Sequence, residues 1–181
     1  MSSDKNSADA ESVIPPDDPK RELTVARPET DKKLRTIALV GDVYTILVSG
    51  GDTDGRYCLI DMQIPPKGGP PPHRHDFEEV FSISEGEIEF TFRGEKNILR
   101  AGETINIPAN APHNFTNATD KPAKMLCLCA PAGQDEYFLQ IGDPLESRDS
   151  KPPELTDAEK KERAEKGKKL AAKYKTEILA P

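Results

Sequence analysis

Short apolar stretches alternate with turn residues along the middle of the chain. Within most stretches apolar and polar positions alternate, which is the period of a β-strand with one buried face. Glycine, proline, asparagine and aspartate separate the stretches, and this regular spacing favours an antiparallel barrel or sandwich over βαβ units. The pattern predicts strands at 36–40, 43–49, 57–64, 80–84, 87–92, 97–100, 104–107, 113–116 and 124–130.

Two helices are predicted after the last of these strands. Residues 134–141 place Tyr137 and Phe138 on one apolar face. These two aromatic residues either cover the mouth of the barrel or pack on its outside. Thr156 and Glu159 have the spacing of a capping box and therefore open a second helix. The apolar face of this helix is narrow, so we expect it to lie on the barrel rather than inside it.

The polar ends of the chain set off a central domain. Residues 1–33 are charged and contain four prolines, which predicts a flexible arm. We expect the barrel to occupy 34–145, and a linker with a helical tail to occupy 146–181. The β-rich stretch 34–49 adds a strand either to its own barrel or to a neighbouring subunit.

The charge distribution argues against a nucleic-acid partner. Residues 1–33 have a net charge of −2 and residues 151–181 a net charge of +3, while residues 34–150 carry 18 acids and 10 bases and have a net charge of −8. An acidic central domain repels phosphate backbones. No apolar run is long enough to span a membrane and no secretory signal is visible, so we expect no membrane partner and a cytoplasmic location.

The three cysteines do not have the pattern of a disulfide framework. Cys127 and Cys129 are two residues apart on a predicted strand, which is too close for a normal disulfide within one strand, and Cys58 has no obvious partner. We therefore expect three free, buried thiols.

The three histidines of the chain are candidate metal ligands. His73 and His75 are followed by Glu79, and these three residues share one face of an extended chain because their numbers have the same parity. Glu78 has the opposite parity and should point away. His113 follows a turn and supplies the remaining imidazole. Three imidazoles and one carboxylate suit a borderline divalent ion.

Two segments that contain these residues resemble the two motifs of the cupin family. The first is His73-Arg74-His75, three residues, Glu79, six residues and Gly86. The second is Gly102, five residues, Pro108-Ala109-Asn110, two residues, His113, three residues and Asn117. All spacings agree with the family, and Asn110 stands where the family usually has glycine. Asparagine tolerates the left-handed backbone conformation, so we expect the turn to be kept.

The resemblance implies an all-β fold, the cupin jelly-roll barrel, with short C-terminal helices. It implies one divalent metal ion per chain, held by His73, His75, Glu79 and His113. The ion is iron, manganese, nickel, cobalt or zinc, among which a site of nitrogen and oxygen ligands does not choose. The resemblance also implies a homodimer. Within the family, the chain is most similar to single-domain proteins labelled quercetin dioxygenase-like.

The surroundings of the predicted metal site are apolar. Phe77 and Phe81 share the inward parity of the ligands, and Phe115 follows His113. These three residues either bind a flat hydrophobic substrate or simply fill the core. Glu79 acts either as a plain fourth ligand or also as a catalytic base that takes a proton from a bound hydroxyl.

Three functions fit these predictions. We favour an enzyme, a metal-dependent dioxygenase that acts on a small enol, flavonol or aromatic substrate. The second is a lyase, decarboxylase or isomerase in which the metal is a Lewis acid and dioxygen takes no part. The third is a non-catalytic protein that binds a small ligand or a metal ion.

Overall fold

The strands of the computed structural model, which describes residues 14–180, form two antiparallel sheets. The strand order is β11-β1-β2-β3-β10-β5-β8 in one sheet and β12-β4-β9-β6-β7 in the other. The bounds are β1 Thr36–Leu39, β2 Asp42–Val48, β3 Cys58–Ile64, β4 His73–His75, β5 Glu78–Glu85, β6 Glu87–Phe92, β7 Glu95–Arg100, β8 Thr104–Ile107, β9 His113–Thr116, β10 Ala123–Ala130, β11 Asp143–Leu145 and β12 Thr176–Ile178. The two sheets confirm the predicted jelly-roll fold, and every predicted strand is present with small shifts at its ends.

Two helices follow the main strands, as the sequence predicts. The helix α1 spans Gln134–Ile141, and α2 spans Asp157–Ala171 and continues into a 3-10 turn. Thr156 and Glu159 form both hydrogen bonds of the predicted capping box. Neither helix of residues 14–180 is long and apolar enough to cross a membrane.

Alternation along the strands places one face of each sheet in the core. In β10 every second residue is buried, beginning with Ala123, and the residues between are half-buried. Strand β10 lies between β3 and β5, so its inward side chains pack in rows with those of both neighbours. The largest fully buried side chains of the described chain are Phe81, Phe90, Ile37, Ile60, Met62, Ile64, Ile83, Ile88, Ile107 and Met125.

The predicted dimer element lies within its own sheet. Strand β1 pairs with β2 and with β11 of the same chain. The homodimer itself stays a prediction. The first 13 positions of the predicted flexible arm lie outside the described residues, and positions 14–35 contain neither a helix nor a strand.

The C-terminal tail contributes a strand that the sequence pattern does not predict. Residues Thr176–Ile178 form β12, which pairs antiparallel with β4, so that Thr176 lies opposite His75 and Ile178 opposite His73. Backbone hydrogen bonds from Asp76 N to Lys175 O and from Leu179 N to Pro72 O extend this pairing, each at 2.8–2.9 Å. The tail therefore covers the open edge of the strand that carries two candidate ligands.

The three cysteines are free and fully buried, as predicted. Because none of them is exposed to solvent, we expect Ellman's reagent to modify no thiol in the native protein within minutes, and three thiols per chain in guanidinium chloride. Absorbance at 412 nm measures both values. Rapid modification of even one thiol in the native protein would contradict the described packing.

Candidate metal centre

Four buried side chains from three strands converge at one point between the sheets. His73 and His75 extend from β4, Glu79 from β5 and His113 from β9, and each is at most 8% exposed. One ligand atom from each of the four lies within 4.8 Å of the others. His73 and His113 are direct partners in the β4–β9 pairing, so the sheet itself sets the distance between these two imidazoles.

Main-chain carbonyls orient all three imidazole rings. The Nδ1 atoms of His73, His75 and His113 lie 2.9, 3.0 and 2.9 Å from the carbonyl oxygens of Pro71, Phe77 and Ala111. A carbonyl oxygen only accepts hydrogen bonds, so each Nδ1 carries the hydrogen. The neutral form of each ring then has its lone pair on Nε2, which is the atom available to a metal ion.

Two of the Nε2 atoms face the same oxygen of Glu79. Oε2 lies 2.9 Å from Nε2 of His75 and 3.1 Å from Nε2 of His113. A lone pair facing a carboxylate at this distance is repulsive unless a cation lies between the two groups, either a proton on the ring or a metal ion. Three nitrogen donors and one carboxylate, all in neutral or anionic form, fit a divalent transition ion or zinc.

The electrostatics of the cluster favour cation binding. Burial alone would raise the pKa of Glu79, but the hydrogen bonds and charges of His113 and His75 outweigh it and hold this pKa well below its usual range. Burial, with the neighbouring His113, lowers the pKa of His73 to about 4. Burial also opposes protonation of His113, but its hydrogen bond to Glu79 raises the pKa of His113. Glu79 is thus ionised and His73 neutral at pH 7.

Two thiols of β10 lie behind Glu79. Sγ of Cys127 is 3.2 Å and Sγ of Cys129 is 3.6 Å from Oε1, the carboxylate oxygen that points away from the imidazoles. Both thiols can donate to this oxygen, which fixes the carboxylate rotamer with Oε2 toward the histidines. The sequence indicated only that these thiols are buried, because contacts between strands that are distant in the sequence are not visible in it.

Of the two neighbouring glutamates, only Glu79 points toward the histidines. Glu78 is exposed and accepts hydrogen bonds from the Asn106 amide and the Ala109 backbone. The argument from parity assumed one continuous strand, whereas the chain leaves β4 after His75 and enters the other sheet as β5. The inward parity nevertheless survives this change of sheet.

The turn before His113 keeps the shape that the sequence predicts. Asn110 has φ 67°, in the left-handed region where the family usually has glycine. Its backbone N–H donates to the carbonyl of His75 at 2.7 Å, and its side chain donates to Asp76 at 3.3 Å. The prediction for Asn110 is confirmed, and the residue also ties the two motifs together.

A cavity of about 330 Å³ adjoins the cluster on the side of His73 and Glu79. These two residues form part of its wall, and most of the remaining wall is apolar, including five aromatic side chains. This volume is at the small end of the range in which proteins bind drug-sized ligands, about 300–1,000 Å³. The aromatic and aliphatic residues of the wall include Tyr44, Met62, Phe81, Phe115, Tyr137, Phe138 and Ile141.

The three predicted substrate-contacting phenylalanines have different positions. Phe81 and Phe115 line the cavity and also pack on each other, with ring centroids 5.6 Å apart. Phe77 is not among the residues that line it. Its ring stacks on the ring of His75, with 3.8 Å between the centroids. Phe77 therefore packs against a candidate metal ligand and does not contact the cavity.

Residues of the helices α1 and α2 form one part of the cavity wall. Tyr137 and Phe138 of α1 lie in its wall, and the Tyr137 hydroxyl donates to the carbonyl of Gly167 in α2 at 2.9 Å. Charged residues of α2 reach the same cavity, namely Lys160, Arg163 and Lys168. The tail that was predicted to lie on the barrel surface therefore contributes directly to the cavity.

Sequence reasoning also missed two polar residues in the wall. Asp42 and Gln134 are both buried and both line the cavity. Asp42 begins the strand in which Tyr44 and Ile46 point into the core. Because Asp42 has the same parity as these two core residues, its inward position could have been predicted from the sequence.

Comparison with known proteins agrees with this geometry. Residues 60–129 match the family described as Cupin domain. The quercetin 2,3-dioxygenase of Bacillus subtilis is 23% identical over 111 residues, 61% of this chain and 33% of that protein. A protein of Streptomyces cyaneus named polyketide synthase CurC is 34% identical over 94 residues, 50% of this chain and 60% of that protein. An uncharacterized protein of Methanocaldococcus jannaschii is 38% identical over 60 residues, 33% of this chain and 48% of that protein.

Solved structures match the same fold. The polyketide cyclase RemF of Streptomyces resistomycificus has a TM-score of 0.54 at 20% identity, over 60% of this chain and 80% of that one. A protein of Thermotoga maritima described as a predicted oxalate decarboxylase has a TM-score of 0.55 at 17% identity, over 59% of this chain and 98% of that one. At these identities the likeness concerns the fold alone.

The family match, the jelly-roll sheets and the buried histidine cluster agree that residues 60–129 of this chain form a cupin domain. Among the curated relatives that it matches, the chain spans about half of their length or less in two cases and 60% in the third.

Proposed function

We propose that the protein is a metal-dependent dioxygenase that acts on a small aromatic or enol substrate of the flavonol type. The observation that carries the proposal is a buried cluster of three imidazoles and one carboxylate, of which His73 and Glu79 lie in the wall of a cavity that also contains five aromatic side chains. The similarity to a quercetin 2,3-dioxygenase gives independent support.

A divalent ion bound by His73, His75, Glu79 and His113 would supply Lewis acidity and, if redox-active, the single-electron chemistry that reactions of dioxygen require. The residues of the chain bind and orient the substrate. Phe81 and Phe115 offer flat apolar contacts next to the cluster, and residues of α1 and α2 form another part of the wall.

We assign Glu79 to metal binding rather than to proton transfer. Both of its oxygens have partners, and the low pKa of this carboxylate makes it a weak base. The earlier alternative, in which Glu79 is a catalytic base, would require the carboxylate to leave its contacts with His75 and His113.

Oxygen consumption tests the proposal. Protein purified with chelator is reconstituted without oxygen with iron(II), manganese(II), cobalt(II), nickel(II) or zinc(II), and the metal content is verified. We expect dioxygen uptake with quercetin or another flavonol for at least one redox-active ion, and none with zinc. An oxygen electrode gives the rate, and mass spectrometry should detect a product that contains both oxygen atoms. If no loaded form consumes dioxygen with any flavonol or enol of a broad panel, the proposal is wrong.

A second candidate is a reaction that uses the metal only as a Lewis acid. The cationic residues Lys160, Arg163 and Lys168 at the cavity favour an anionic or enolate substrate, and one relative is named a polyketide synthase. Nη2 of Arg163 is already paired with Oδ1 of Asp143 at 2.7 Å, so Arg163 is less available to bind an anionic substrate. Product formation that continues in the absence of dioxygen, and with zinc, would select this candidate over the first.

A further inference from the structure

Strand β4, which carries the candidate ligands His73 and His75, is held mainly from one side. It is three residues long and pairs with β9 at a single position, where His73 lies opposite His113. On that side Asn110 N also donates to the carbonyl of His75 at 2.7 Å. On the other side β12 pairs with all three residues of β4. Most of the strand pairing of β4 therefore comes from a segment that is far away along the chain.

Two main-chain hydrogen bonds extend this pairing beyond both ends of β4. Leu179 N donates to the carbonyl of Pro72 at 2.8 Å, and Asp76 N donates to the carbonyl of Lys175 at 2.9 Å. Pro72 directly precedes the strand and Asp76 directly follows it. The tail segment, residues 175–179, therefore holds β4 at each end as well as along its length.

The ends of β4 also carry the carbonyls that orient the two imidazole rings. Nδ1 of His73 lies 2.9 Å from the carbonyl oxygen of Pro71, and Nδ1 of His75 lies 3.0 Å from that of Phe77. Each of these carbonyls belongs to the chain neighbour of a residue that bonds to the tail segment. Movement of either end of β4 would therefore turn an imidazole ring away from the cluster.

Main-chain bonds and buried contacts, rather than surface charge, hold the tail segment in place. Thr176 is buried, Ile178 is half-buried, and both line the cavity beside the cluster. Glu177 forms an ion pair with Arg74, but both side chains are about half exposed. An exposed ion pair contributes little to stability, so this pair does not determine where the segment lies.

The tail segment begins at a point that the rest of the fold determines. The ring of Tyr174 packs on that of Tyr137 in α1, with 5.4 Å between the centroids. The next residue, Lys175, has φ 53°, in the left-handed region that residues with a Cβ atom rarely adopt. Such a conformation persists where the surrounding contacts determine it. Lys175 thereby ends the 3-10 turn and directs the chain along β4.

We propose that the tail segment positions β4 and thereby raises the affinity of the candidate metal centre for its ion. The ligand atoms of the cluster converge only while His73 and His75 keep their places relative to β5 and β9. Docking of the tail segment and binding of the ion favour the same arrangement of β4, so each strengthens the other. The inference rests on the metal-binding part of the proposed function and not on a reaction with dioxygen.

A proline at position 179 tests one direction of this coupling. Leu179→Pro removes the N–H that bonds to Pro72, whereas Leu179→Ala shortens the side chain and keeps that N–H. The probe is cobalt(II) alone, added to the full-length protein without oxygen, and competition with a fluorescent chelator gives its dissociation constant. We expect Leu179→Pro to bind cobalt(II) at least tenfold more weakly than Leu179→Ala, since partners of metal ligands usually contribute about 10–100-fold.

The spectrum of bound cobalt(II) separates a positioning role from a general loss of stability. The visible absorption bands of this ion depend on its coordination geometry, which misplaced imidazoles change. We therefore expect altered bands in saturated Leu179→Pro and unaltered bands in Leu179→Ala, and circular dichroism checks that both are folded. The exposed Ala180 lies beyond the tail segment, so Ala180→Pro is the control for proline itself and should bind cobalt(II) within twofold of the unsubstituted protein.

Hydrogen exchange of the unsubstituted protein tests the other direction and requires no variant. Strands β12 and β7 are the two edges of the same sheet, and only β12 pairs with β4. We expect saturation with cobalt(II) to slow amide exchange at least fivefold in the peptide that contains residues 175–179, and less than twofold in the peptide that contains β7. Mass spectrometry measures both rates.

Equal cobalt(II) affinities of Leu179→Pro and Leu179→Ala, or equal slowing of exchange at β12 and β7, would overturn the positioning role. A protein that consumes dioxygen in spite of such a result keeps the proposed function and loses this inference. Weaker binding by Leu179→Pro in a protein that consumes no dioxygen keeps the inference and overturns the dioxygenase proposal. If the unsubstituted protein binds no cobalt(II), both are wrong.

Discussion

Replacing Glu79 by glutamine is expected to lower the affinity of the protein for divalent metal ions at least 100-fold. The substitution removes the only carboxylate among the four clustered residues and places an amide next to His75 and His113. Loss of residues that merely support a metal ligand usually costs 10–100-fold in affinity, so the loss of a charged ligand should cost at least as much. Competition with a fluorescent chelator under anaerobic conditions measures the affinity, and elemental analysis gives the metal content after dialysis.

Glu78 provides a matched control in the adjacent position. Its carboxylate is exposed and bonds outward to Asn106 and to the backbone of Ala109. Glu78→Gln should therefore leave the metal affinity within about twofold, since it removes the same charge without touching the cluster. Equal losses in the two variants would indicate a general effect of charge, and full retention of metal by Glu79→Gln would remove Glu79 from the candidate site.

The histidine cluster was predictable because residue type and spacing alone define it. The chain has only three histidines, and the two motifs place all of them at matching positions. Strand parity then separated Glu79 from Glu78, even though the assumed single strand is in fact two strands of different sheets. The left-handed turn at Asn110 was predictable for a similar reason, since it depends on a local backbone preference.

What the sequence did not predict depends on contacts between distant segments. The tail strand β12 is three residues long and has no apolar alternation of its own, so only its pairing with β4 makes it a strand. Phe77 has inward parity, but the chain changes sheet at this point and turns its ring onto His75. Asp42 and Gln134 come from opposite ends of the barrel sequence, and only the fold brings both of them into the wall of one cavity.

Replacing Asp42 by asparagine is expected to stabilise the protein at alkaline pH relative to the unsubstituted chain. The folded-state pKa of Asp42 is raised by burial to about 7, compared with 3.8 for the ordinary carboxyl. The folded state therefore binds this proton more tightly than the unfolded state does. The stability that the protonated carboxyl contributes is complete below pH 4 and is lost as the pH rises through 7.

The size of this effect follows from the two pKa values. At about 1.36 kcal/mol per pH unit, the interval between 3.8 and about 7 corresponds to about 4 kcal/mol of unfolding free energy. The free energies of unfolding of Asp42→Asn and of the unsubstituted protein are subtracted at each pH, so that the contributions of titrating groups common to both proteins cancel. Among these are Tyr44, which bonds to the carboxyl, and the charged or titratable residues of the same cavity, His73, Glu79, Asp143, Lys160, Arg163 and Lys168.

Denaturation with urea at pH 5, 6, 7 and 8, at equal metal content, measures the difference. We expect the stability of Asp42→Asn relative to the unsubstituted protein to rise between pH 5 and pH 7 and to level off between pH 7 and pH 8. The exposed Asp120 provides the control, since Asp120→Asn changes an acid that lies in water in both states. Its stability difference should stay constant with pH. A constant difference for Asp42→Asn as well would contradict the burial of this carboxyl in the native protein.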